Sequence, residues 1–395
     1  MRKAALIFSL LIFSLFSLLS CNEKINVQKL SVKEGKRFEK FHFKKIWENI
    51  LYGGWCLACP QGIVCTELLD RSFKESKLML YDYSGKLKKE KKLIHGEGPD
   101  EIRAWNFATV WLSSSGKIFS QDNNYLKALE PETLQIETVA KLSNVIEGYG
   151  NKYTFGRNGF TSFEEKEDRT VTSFESSGFY EDMTYFIVTY NGIFKNLSVI
   201  ASAKKEKPWT WEMFKKREFY VDIYHFLRVN RILSVDWKRS VVYHIPDFEK
   251  PEIETVDLEG KLKQKYLLDI NPEKFKVERD DFELWYQCVM DETDSFTKSL
   301  MKHIPYIPSH SPALMEIKAT GDWLMIITGN RNWKKEENEV LVYKLPSLSY
   351  EGSFFIPFPN LLTTKWYDNY YIIRKLIKKD DDYYSLYEIY KIEER

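Results

Sequence analysis

The chain carries almost no net charge: 58 Lys and Arg stand against 57 Asp and Glu. Setting aside Arg2 and Lys3 leaves 56 basic residues, a balance of −1. Such a chain does not read as a nucleic-acid binder, which needs a basic face against phosphate charge. Catalytic signatures are missing too. There is no Gly-x-Ser-x-Gly elbow, no His-Glu-x-x-His helix and no EF-hand loop. His42, His95, His225, His244, His303 and His310 are the only histidines. His303 and His310 bracket a proline-containing loop, but solvated or core histidines explain them better than a metal does. We assign no metal and no cofactor. Nor is any apolar run long enough to span a bilayer, which takes ~20 residues.

What the N-terminus does hold is an address. Arg2 and Lys3 precede an apolar run from Ala4 to Leu19, followed by Ser20 and Cys21. A basic start, a short apolar stretch and a small residue before the cut describe a secretory signal over residues 1–20. Cysteine directly after that small residue matches the bacterial lipobox, in which the thiol is acylated and becomes the new N-terminus. The expectation is a protein anchored by lipid at Cys21, on the periplasmic or surface side of a bacterial outer membrane.

Hydrophobic residues make up 44% of the chain, enough for a core and too many for disorder. The 24 Tyr, 26 Phe and 11 Trp, with many β-branched residues, suit half-buried pleated surfaces. Residues 21–45 are polar, lysine-rich and aperiodic, and read as a tether, with the folded body over 46–395 beginning near Trp47. From there, short apolar runs alternate with turn residues. Trp55–Cys59, Pro60-Gln61-Gly62 and Ile63–Leu69 read as strand, turn, strand, and Lys77–Tyr83, Ser84-Gly85 and Lys86–Ile94 repeat the arrangement. Tyr81-Asp82-Tyr83-Ser84-Gly85-Lys86-Leu87 recurs as Val256-Asp257-Leu258-Glu259-Gly260-Lys261-Leu262. Each copy ends a strand on Asp and gives the turn to Gly. Four further strands are expected at 313–319, 323–328, 340–345 and 350–356, and two more at 370–376 and 383–392.

Four strands in roughly forty-five residues is one β-propeller blade. The expected fold is therefore all-β, a six-bladed β-propeller, with seven blades open on arithmetic. Short helical insertions are expected in 204–219 and 271–303, which break the strand pattern. The segment Gly96-Glu97-Gly98-Pro99-Asp100-Glu101 resembles the G-x-G-P-G-E motif of a family of bacterial lipoproteins with six-bladed propellers, similar to NHL-repeat propellers. It departs from that motif at Asp100, where the family has Gly. The resemblance implies a propeller, and it leaves the ligand open.

Two constellations are candidates for chemistry. Cys56 and Cys59 form a C-x-x-C after Trp55, but the hairpin text that follows is not the helix a redox motif needs. Buried strand cysteines, or a disulfide from Cys65 to one of the other two, are the competing readings. Pro208-Trp209-Thr210-Trp211 is the best recognition surface: on a strand, Trp209 and Trp211 present two flat faces to a sugar chain, and on a helix they pack inward. The functional expectation is a binding or scaffolding module for an envelope protein or glycan. The alternative is an enzyme whose carboxylates or histidines meet at the propeller axis and act on an extracellular glycan or small molecule.

Overall fold

The computed structural model describes residues 27–69, 75–94, 110–113, 116–122, 125–141, 160–167, 169–175, 183–191, 195–205, 232–247, 250–278, 280, 310–357, 364–367, 369–379 and 382–394. The described elements are strands, joined by one short 3-10 turn at Pro272–Phe275. Two strands come first, β1 (Val27–Ser31) and β2 (Phe41–Leu51). Then follow successive meanders of antiparallel strands. The first holds β3 (Cys56–Cys59), β4 (Gly62–Leu68), β5 (Glu75–Tyr81) and β6 (Leu87–Ile94). The second holds β7 (Val110–Leu112), β8 (Ile118–Asp122), β9 (Tyr125–Glu130) and β10 (Gln135–Lys141). The third is β11 (Phe160–Lys166), β12 (Arg169–Glu175), β13 (Met183–Asn191) and β14 (Lys195–Lys205). The fourth is β15 (Leu233–Asp236), β16 (Val241–His244), β17 (Glu252–Asp257) and β18 (Leu262–Asp269). The fifth is β19 (Leu314–Thr320), β20 (Trp323–Asn332), β21 (Glu337–Lys344) and β22 (Ser349–Pro357). The last holds β23 (Thr364–Tyr367), β24 (Tyr370–Lys379) and β25 (Asp382–Glu394).

This is a β-propeller. Among the described residues the plain four-stranded blade is met five times, against the six or seven expected, and the remaining sheet is the fourth meander widened by β1 to five strands. The last blade has only three strands of its own. β2 completes it, running antiparallel to β25 from Phe41 opposite Glu394 to Leu51 opposite Ser385. The N-terminal strand thus closes the ring against the C-terminal one. β1 lies parallel along β18, with Val27 opposite Lys265 and Ser31 opposite Asp269. Between the two, Phe38 donates its N–H to Ser353 on β22, and Ser353 donates to the Lys36 carbonyl. Residues 27–51 therefore strap the outer edges of three consecutive blades. The expected boundaries are corrected accordingly: 27–45 is part of the propeller, which starts well before Trp47.

Burial falls from the inside of each blade outward. β3 and β4 are buried apart from the half-exposed Glu67, whereas the lysines of β6 point mostly to solvent. Lysine on an outer strand protects the free edge from pairing with other chains. The core lies between neighbouring blades, where Trp55, Leu57, Ile63, Val110, Ile118, Leu129 and Ile389 pack together. Each such side chain contributes about 1.5–3 kcal/mol by leaving water.

The repeated heptapeptide forms the same turn twice. Asp82 and Asp257 accept through Oδ1 from the backbone of the residues two and four positions on, and Gly85 and Gly260 sit at φ +86° and +88°. An L side chain disfavours that φ, which is why both copies keep Gly.

Candidate functional site

The meander sorts the connections onto two faces. Within each blade, the turn from first to second strand and the turn from third to fourth open on one face; the other connections open on the opposite face. The first face carries only short turns, such as 82–86, 131–134, 237–240, 321–322 and 345–348. The second face receives every long connection: 95–109, 142–159, 206–232 and 270–313 all start and end there. Gly96–Glu101, Trp209, Trp211 and His303 fall within these connections and lie outside the described residues, as do Cys21 and Cys288.

On this long-connection face, blade five carries a polar cluster built on an irregular strand. The pairing of β20 with β21 shifts register between Ile327 and Arg331, so that Gly329 and Asn330 bulge from the ladder. A bulge re-aims the side chains that follow it. Here it lays the Arg331 guanidinium over the Trp333 ring, 4.6 Å from the centroid. Asn338, fully buried, donates from Nδ2 to the Thr328 carbonyl at 2.8 Å, and its Oδ1 stands 3.4 Å from Arg331 Nη1. Asn330 Nδ2 donates to Glu339 Oε2 at 2.7 Å. Ser311 Oγ contacts the carbonyls of both Phe275 and Gly329, at 3.2 and 2.9 Å, and so ties the entry to β19 to the bulge. His310, beside it, is exposed. Arg331, Trp333, Asn338 and Glu339 are themselves buried, so the cluster stiffens this end of blade five. It is the half-buried Asn330, with the exposed Asn332, Lys334 and Lys335 at the turn, that a ligand can reach.

At the ring's centre, the polar groups hold strands together. Ser234 on β15 donates to Glu164 Oε1 of β11 at 3.0 Å and accepts the backbone N–H of Ala319 on β19 at 3.0 Å. Inner strands of three blades are linked through one hydroxyl. On the short-turn face, Arg239 bridges Asp236 at 2.6 Å and Asp322 at 3.4 Å. The Lys344 and Lys238 charges, with the Arg239 hydrogen bond, hold the Asp322 carboxyl below its ordinary range.

Histidines meet carboxylates in two described places, neither on an inner strand. His42 Nε2 is 3.3 Å from Glu393 on the outer half of the last blade, and His244 Nε2 is 3.6 Å from Glu254 across β16 and β17. His244 is fully buried, and burial lowers its pKa to about 4, so it is neutral at pH 7. Among the described residues, no three His, Cys, Asp or Glu side chains stand close enough to hold a metal ion.

The cysteines resolve into a structural pair. Cys56 and Cys65, directly opposite on β3 and β4, are disulfide-bonded, and Cys59 is a free buried thiol. The C-x-x-C is followed by a hairpin with no helix. Burial pushes the Cys59 thiol up to about 11, the opposite of an activated nucleophile.

No protein-family model matches the chain, and no curated protein matches its sequence. Among solved structures, the tricorn protease aligns over 82% of this chain and 28% of its own, with TM-score 0.38 and 11% identity. The β-propeller domain of the Trilobed protease from Pyrococcus furiosus, which has an open velcro topology, aligns over 83% and 78%, with TM-score 0.34 and 12% identity. A europium-containing methanol dehydrogenase aligns over 79% and 53%, with TM-score 0.30 and 10% identity. This chain thus spans less than a third of the tricorn protease and about half of the dehydrogenase. At these values the propeller assignment rests on sheet order alone.

Proposed function

We propose that the protein is an exported, lipid-anchored β-propeller that binds an envelope protein or glycan through its long-connection face. The observation that carries this reading is the asymmetry of the ring: one face is finished in tight turns, and the other receives all the long connections. Propellers use such loop faces as binding surfaces around a central channel. The cluster of Arg331, Trp333, Asn330 and Glu339 belongs to the same face. Trp209 and Trp211 lie in the connection that leaves β14 and returns at β15, and they are proposed as further contacts for a sugar ring. The lipobox at Cys21 supports the anchor, and the likeness of Gly96–Glu101 to the lipoprotein propeller motif supports the family. Enzyme chemistry at the axis is the weaker reading, because Glu164 is engaged there in holding three blades together.

The test is a glycan array run beside a pull-down from solubilised envelope membranes, using the wild-type chain and, at the exposed turn of the same blade, Asn332→Ala and Lys334→Ala. The expected result is a ligand whose retention falls about tenfold in either variant, the loss typical of a contact at the centre of an interface. Silence in both formats, or retention indifferent to both substitutions, would contradict the proposal.

A further inference from the structure

The strap that closes the ring also limits how far the ring can stand from a membrane. Val27, where β1 begins, is six positions after Cys21. An extended chain spans at most ~3.3–3.6 Å per residue, so an acylated Cys21 lies within about 20 Å of β1. β1 is itself the outermost strand of its blade, laid along β18. A leash that short keeps the strap, as the part of the ring's rim next to the anchor, within reach of the lipid.

That rim is charged to match. Residues 27–45 contain seven Lys or Arg against two acids, in a chain otherwise near neutrality. Lys29, Lys33, Lys36, Arg37 and Lys40 are all exposed. Glu34, one of the two acids, is paired with Lys274 at 3.1 Å. Arg37 and its neighbours are held on β22 by backbone hydrogen bonds, so these charges sit on a fixed surface and not on a loose tail. Anionic headgroups attract Lys and Arg only within about a Debye length, ~8 Å at physiological salt. The short leash allows the strap to come within that range.

We infer that the protein, anchored at Cys21 as proposed above, rests edge-on against anionic lipid headgroups through the basic outer surface of residues 27–40. The propeller axis then runs along the membrane plane. Its long-connection face looks sideways, toward partners held in the same membrane, and is not buried against lipid or raised away from it.

The experiment uses the full acylated protein, reconstituted on vesicles of phosphatidylcholine alone or of phosphatidylcholine with phosphatidylglycerol. Amine labelling is read by mass spectrometry at Lys29, Lys33 and Lys40, with Lys238 on the short-turn face as the internal standard. Labelling of the three strap lysines should slow about tenfold on the anionic vesicles. It should not slow on phosphatidylcholine alone, and Lys238 should react alike on both. A Lys29→Glu, Lys33→Glu double variant should lose the protection at Lys40. The same digests report the mass of the Cys21 peptide. An acylated Cys21 with strap lysines labelled as fast as Lys238 would overturn the docking and leave the anchor standing. An unmodified Cys21 would overturn both.

Discussion

The Tyr387 hydroxyl donates to the carbonyl of Gly54 across 2.7 Å, fastening the last blade to the chain that enters the first. Tyr387 is fully buried, and burial raises its pKa to about 12, so it stays a neutral donor throughout the physiological range. Tyr343 is equally buried, yet its hydroxyl meets no hydrogen-bond partner among the described residues. The two therefore respond oppositely to loss of the oxygen. Tyr387→Phe strands a buried carbonyl and should cost about 1–3 kcal/mol. Tyr343→Phe removes an oxygen that pays desolvation without a bond, and stability should stay level or rise. Urea unfolding of the pair decides the matter; equal losses would contradict these assignments.

Stability should fall in mild acid because of His244. Its folded-state pKa is about 4, against an ordinary 6.5. The unfolded chain therefore binds this proton first, and stability present above pH 6.5 is lost as the pH falls toward 4. A shift of that size corresponds to about 3 kcal/mol. His244→Leu should flatten the part of the stability–pH curve between those values, with unfolding followed by fluorescence at several pH values. An unchanged slope would show that other groups set it.

Reducing the Cys56–Cys65 bridge should cost about 2–3 kcal/mol, as its loop is short. Because both cysteines are fully buried, dithiothreitol should act only once the chain is unfolded. Thiol counting before and after reduction, in denaturant, should reveal two additional thiols. No increase would mean that the two cysteines are unbridged.

The strap can be displaced from within. Gly352 has φ +144°, and a Cβ there would stand 2.8 Å from the backbone of Arg37 and Phe38. Gly352→Ala should push the strap off β22, at a cost of about 1–3 kcal/mol from backbone strain alone. Phe38 would leave its packing against Phe41 and Trp323, at 4.9 and 5.2 Å. Trypsin cleavage at Lys36 and Arg37 should accelerate in this variant. Cleavage at the wild-type rate would contradict the proposed contact.

Blade interiors were legible in the sequence because their signals are local. The Asp82–Gly85 and Asp257–Gly260 turns are written in a few adjacent residues, and so is the hairpin at Pro60–Gly62. The strap was not. An outer strand buries one residue in several (Leu30, Trp47 and Leu51 are the buried ones), so Val27–Ser31 and much of Phe41–Leu51 look as polar as a tether. Their pairing with β18 and β25 spans most of the chain and leaves no periodic trace. The blade-five cluster was missed for a related reason. Its only written sign is Gly329-Asn330 inside an otherwise apolar strand, and a strand glycine reads as a bulge without saying what the bulge presents. Of the three candidate cysteines, spacing left the partner of Cys65 open; strand register decides it for Cys56.

Whether the long-connection face is the working face is tested most directly by site-specific photo-crosslinking in intact cells. A crosslinker is placed at Lys335, in the turn beside the blade-five cluster, or at Lys261, in a tight turn on the opposite face. Adducts of one defined partner or glycan at Lys335, with none at Lys261, are the predicted result. Adducts at Lys261 alone, or the same adducts from both positions, would contradict the account.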